Sequence, residues 1–177
     1  MNPEMKEEIT KKALSSVSTA LAHAQTLLPL VVENGNPGSG AQGPGGAEDP
    51  ALHASPGGGN AAATENGLRR AYASALRCRL EIQYALLLIQ KGLSIGVEMV
   101  DSSAPSSRSA QKARLAAGLK SDLEGALSAL ESGSPEVAGA ALAASDSKAA
   151  QLISKIRGEL KRCTRVQRRD RDRRSVG

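Results

Sequence analysis

The chain contains no Phe and no Trp, and its only rings apart from two His are Tyr72 and Tyr84. Its core must therefore be assembled from Ala, Leu, Ile and Val. Sandwiches and barrels draw on aromatic and β-branched side chains, so this constraint disfavours all-β folds. It favours Ala- and Leu-rich helices in close contact. At 177 residues the chain has the length of one ordinary domain.

Apolar spacing of three and four marks the elements. In a first helix over 4–33, the stripe is Met5, Ile9, Ala13, Val17, Ala20, Ala24, Leu27 and Val31. Pro29 is expected to bend or end it, because proline removes a donor and clashes with the preceding turn. Residues 34–67 hold ten Gly and four Pro, with scarcely any large apolar side chain. Such a segment cannot offset its ordering entropy, so it reads as a disordered linker. A Gly-rich coil of this length spans roughly 30 Å, which lets the first helix dock in either direction.

The second helix is expected from about residue 65 to Asp101, with Leu68, Tyr72, Ala75, Arg79, Ile82, Leu86, Ile89, Leu93, Gly96 and Val100 in register. Leu76, Leu80, Leu87, Leu88 and Ile95 widen this stripe, which places the helix at the centre with neighbours on several sides. The turn Asp101-Ser-Ser-Ala-Pro-Ser-Ser precedes a third helix, about Ser106 to Glu131. Ser132-Gly133-Ser134-Pro135 closes it, and Ser134 before Pro135 reads as the N-cap of a fourth helix ending near Arg165. The expectation is an all-α four-helix bundle with a long Gly/Pro-rich disordered loop between helices 1 and 2. The core would be helices 2–4, over 65–165, followed by a basic C-terminal tail over 166–177.

Short turns between helices 2, 3 and 4 imply that helices 2 and 4 run parallel. Cys78 and Cys163 then lie ~20 Å or more apart along the bundle and stay free thiols. Gly92 and Gly96 inside the second helix would cost about 2 kcal/mol relative to Ala. A close helix contact would explain them, and the fourth helix offers small residues at Ala138, Ala141 and Ser145. Arg79, in register with core positions, reads as a packed stem whose head reaches an acid.

The formal charge of +5 is unevenly placed. From Arg157 to Gly177 nine Arg and Lys face three acids, and the rest of the chain is nearly balanced. The basic residues are Lys161, Arg162, Arg165, Arg168, Arg169, Arg171, Arg173 and Arg174. They read as an arm for nucleic-acid phosphates, as a nuclear-import signal, or as a solvated terminus or arm for an acidic protein partner, the last pair being favoured. Arg69, Arg70, Arg77 and Arg79 make one end of the second helix basic, with Tyr72 alone interleaved.

Catalytic and cofactor motifs fail on context. The G-x-G-x-x-G at Gly38, Gly40 and Gly43 lacks a preceding strand and a following helix. The G-x-S-x-G around Ser94 lies in a helical pattern, with both His earlier in the chain. Cys78, Cys163, His23 and His53 have no metal-ligand spacing. Asp122 and Glu124 are two apart on a helix and do not face each other. No cofactor and no enzymatic activity are expected. The N-terminus lacks the pattern of a signal peptide, and the most apolar stretch, Tyr84 to Val100, is interrupted by Gln90, Lys91 and Glu98. The expected location is intracellular, cytoplasmic or nuclear, without a membrane span. The leading reading is a non-catalytic interaction subunit or adaptor, meeting other protein subunits through helix–helix contacts. The alternative is an RNA- or DNA-binding protein that uses the Arg-rich arm.

Overall fold

In the first helix Ala13, Val17, Ala20, Ala24, Leu27 and Val31 of the expected stripe are buried, with Ser16 beside them, while Ile9 is half-buried and Met5 is exposed. A computed structural model of the chain describes residues 1–35, 58–101 and 112–176. It is all-α, with α1 Pro3–Gly35, α2 Gly58–Leu87 continued by a π-helical turn Leu88–Gly92, α3 Lys112–Glu131 and α4 Pro135–Ser175.

Several boundaries differ from expectation. α1 runs through Pro29 to Gly35. Pro29 is exposed while Leu27 and Val31 beside it are buried, so the carbonyl that loses its partner faces solvent and packing holds the helix. α2 starts at Gly58, so residues 58–67 of the expected linker are helical. The remainder of that linker, 36–57, lies outside the described residues, as does 102–111.

α2 also stops early. The Leu93 amide bonds the Leu88 carbonyl at 3.0 Å, a five-residue step that widens the last turn. Ser94 then takes a left-handed conformation at φ 56°, and residues 93–101 are irregular. α3 ends as its sequence dictates. Gly133 sits at φ 76°, the Ser134 amide bonds the Ala129 carbonyl at 2.8 Å, and the Gly133 amide bonds the Leu130 carbonyl at 3.2 Å. This pair is the Schellman arrangement that a C′ glycine permits. Ser134 then occupies the N-cap of α4 with Pro135 after it, though its side chain makes no capping bond.

Cross-helix contacts fix the directions. Ser16 Oγ donates to the Glu81 backbone carbonyl and carboxylate, and the Cys78 thiol donates to the Ala20 carbonyl at 3.3 Å. Rising numbers on α1 thus meet falling numbers on α2. The Tyr72–Arg157 and Arg79–Asp146 pairs set α2 antiparallel to α4, and Lys112–Glu159 and Lys148–Asp122 set α3 antiparallel to α4. The neighbours round the bundle are α1–α2–α4–α3, with α1 and α3 also packed together. Every adjacent pair is therefore antiparallel.

The expected parallel arrangement of helices 2 and 4 is thereby corrected. α2 and α3 run the same way, so no short turn can form the connection between them, residues 93–111. Val97, near its start, packs on Gly139 of α4. Both cysteines are free, Cys78 buried and Cys163 half-buried. Burial pushes the Cys78 thiol up to about 12.

The glycine contact is corrected too. Gly92 closes the π turn and meets Ile9 of α1, with 2.9 Å from an ideal Cβ to Ile9 Cγ2, while Gly96 has open space around it. Ala141 is half-buried against the core, and Ala138 and Ser145 are fully buried. The α4 residue that needs to be glycine is Gly139, where a Cβ would lie 2.7 Å from Val97 Cγ2 and 3.6 Å from Ile89 Cγ2. Among the described residues no helix is long and apolar enough to cross a membrane.

Candidate functional site

α2 is a corner helix rather than a central one. Ala71, Ala75, Cys78, Ile82 and Ile89 are buried on its inner face. Of the extra leucines that widen its apolar pattern, Leu88 packs against the core and the other three point outward. Leu80 is 65% exposed, Leu87 51%, Tyr84 48% and Leu76 37%. At 100° per residue these four fall within one quarter of the helix, opposite the core face. The stripe is ~16 Å long. Arg69, Arg77 and Lys91 are exposed along it, at its ends and on one flank.

The second feature is a basic groove where the N-terminal half of α2 meets the C-terminal half of α4. It measures about 370 Å³ and is lined by Tyr72, Arg157, Leu160, Lys161, Thr164, Arg165 and Arg168. The Arg157 guanidinium donates to the Tyr72 hydroxyl at 3.2 Å and lies over its ring, 5.9 Å from the centroid. One turn further, the Gln167 amide donates to the Glu65 carboxylate, which also accepts from Arg69. These two donors hold the Glu65 carboxyl below its ordinary value.

The expected arm is helical to Ser175 instead of a separate tail. Its eight basic residues, Lys161, Arg162, Arg165, Arg168, Arg169, Arg171, Arg173 and Arg174, are all exposed. Among the described residues none of the eight is engaged by a carboxylate. Lys161, Arg165 and Arg168 line the groove with Arg157, whereas Arg162, Arg169 and Arg173 do not line it and lie roughly 100° further round α4. Antiparallel packing also brings Arg69 and Arg70 of α2 to this end of the bundle.

The remaining candidates have structural partners or no chemistry around them. Arg79 is the snorkelling residue its register suggests, with Nε 3.1 Å from Asp146 Oδ1. Asp122 takes Lys148, and Glu124 lies 3.8 Å from Lys120. Ser94 lies just past the end of a helix, not on a strand-to-helix turn and not inside a helix as its pattern implies. His23 lies ~20 Å along α1 from Ile9, which packs at Gly92 beside Ser94. His53 and the Gly38–Gly43 motif are outside the described residues. Among the described residues no group of three or more His, Cys, Asp or Glu could hold a metal ion.

No family model matches the chain, and no curated protein or solved structure matches it either. Function must therefore be argued from the two surfaces themselves. The stripe can bury apolar area against another helix. The groove can hold an extended anion between a ring and a row of cations.

Proposed function

We propose that the protein is a non-catalytic interaction subunit that receives an acid-flanked amphipathic helix on the outer face of α2. The observation that carries this reading is the row Leu76, Leu80, Tyr84 and Leu87, turned to solvent at helical spacing. A row at i, i+4, i+8 and i+11 is what a helix-in-groove contact reads. A stripe of this length standing clear of the core marks an interaction surface more than a scatter of surface leucines does.

Magnitudes define the partner further. Covering the exposed part of four such side chains is worth on the order of 4 kcal/mol. Association itself costs at least about that much. The contact therefore needs its rim, and the rim is basic at Arg69, Arg77 and Lys91. Acids flanking the partner's apolar stripe supply the complement, with on-rate and register as their main contributions.

The test is a photocrosslinking residue placed at Leu80, with Ser154 on exposed α4 surface as comparison. We expect an adduct from position 80 alone, mapping to an acid-flanked helical segment of another protein. Leu80→Glu with Leu87→Glu is expected to lose that partner while keeping its helical circular dichroism. Equal labelling from both positions, or an adduct only with a second copy of this chain, would sink the reading.

A further inference from the structure

We propose that the groove between α2 and α4 binds single-stranded nucleic acid, with bases over its apolar floor and phosphates on its row of cations. The floor is the Tyr72 ring and Leu160, and the rim carries Arg157, Lys161, Arg165 and Arg168. On α4 those four follow one another at spacings of four, four and three. One cation thus recurs about every 5–6 Å over ~16 Å of helix.

Three features select this ligand. First, the cations are free to act, because none of the four is held by a carboxylate among the described residues. Three of them are guanidinium groups, whose planar forks match phosphate oxygens in pairs. Second, the Arg157 guanidinium already contacts Tyr72. The ring and the guanidinium stand side by side at the groove, and unpaired bases stack on arginine planes as well as on aromatic rings. Third, the groove is shallow and open, with about 370 Å³ of space along which an extended strand can lie. A duplex hides its base faces and would leave the apolar floor uncovered. The acidic side chains of a peptide carry no flat ring to lay on it.

This site is separate from the outer stripe of α2, so either can fail alone. It also differs from a diffuse basic tail, because Arg162, Arg169 and Arg173 carry the same charge on the adjacent side of α4, outside the groove lining.

The experiment is fluorescence anisotropy of a labelled 12-nucleotide oligouridine with the full chain at 50 and 200 mM salt. Four phosphate contacts give a log–log salt slope near −2.8, or ~50-fold weaker binding at the higher salt. Replacing Lys161, Arg165 and Arg168 together by Gln is expected to weaken binding at 50 mM salt by at least ~30-fold and leave a slope near −0.7. The charge-matched replacement of Arg162, Arg169 and Arg173 by Gln should cost less than ~5-fold. Tyr72→Leu, which removes the ring but keeps an apolar side chain, should weaken binding several-fold with an unchanged slope. Circular dichroism confirms that each variant is folded. Equal losses from the two triple variants would overturn the proposal. So would a duplex binding as tightly as the single strand, displacement by polyglutamate at matched charge, or no binding at 50 mM salt.

Discussion

Among the described residues Lys112 is the buried cation, 8% exposed with Glu159 as its partner. The side chain of Glu159 is one-third exposed, so water screens part of the pair. Glu159→Ala leaves the ammonium unpartnered, and we expect a loss of about 1–2 kcal/mol in urea unfolding. Adding Lys112→Met removes the stranded charge and should recover much of it. Glu65 offers a pH test. Its folded value is lowered, first by the Gln167 amide and then by Arg69, from an ordinary value near 4.5. Its ionised form therefore favours the folded state above that value. The contribution fades as pH falls below 4.5 and through the depressed value. The Gln167 side-chain amide resonances should shift between pH 6 and pH 3, and stay in place in Glu65→Gln. At this scale the sequence was only partly legible. Arg79 had to find an acid because an unpaired charge at a core register is costly. That the acid would be Asp146 depends on helix direction, which no single residue encodes.

The elements were legible where their chemistry is local. Gly133 closes α3 and Pro135 opens α4 through backbone demands that no neighbour alters. The end of α2 was hidden, because Leu93 and Val100 continue the helical register after the chain has left it. The irregular segment that replaces the helix meets α4 instead, with Val97 against Gly139. Gly139 records that contact. An alanine there would gain ~1 kcal/mol of helix propensity. It would also force a Cβ to within 2.7 Å of a β-branched methyl on Val97. Val97 has little rotamer freedom to yield, and overpacking costs about 1–3 kcal/mol. Gly139→Ala is expected to lower stability by about 1 kcal/mol, read as a lower urea midpoint. Val97→Ala in the same chain should reverse the sign, because the freed space lets the propensity gain emerge.

For the whole molecule the decisive property is that α2 and α4 run in opposite directions. Free cysteines were expected from a parallel pair, and both are free, but the antiparallel pair also separates them. Cys78 lies near Ala20 and in the turn before Arg79, opposite Asp146. Cys163 lies 17 residues beyond Asp146, which is ~25 Å along α4. Connection length decides the direction: a short link forces antiparallel neighbours, while the longer 93–111 connection lets two successive helices share a direction. The same reversal gathers Arg69, Arg70 and the Arg157–Arg174 row at one end, which a parallel bundle would hold apart. Direction can be tested through Glu65 and Gln167, whose side chains touch. In a parallel pair residue 65 would lie 7 residues into α2 and residue 167 would lie 32 into α4. That is ~35–40 Å apart along the axis. We expect Glu65→Cys with Gln167→Cys, in a Cys163→Ser chain, to close with a short bismaleimide into a single-chain product of altered gel mobility. Cys78 should stay unlabelled, since burial holds its thiol protonated well above neutral pH. A pair that reacts only between chains, or not at all, would reverse the direction of α4 and dissolve the basic groove with it.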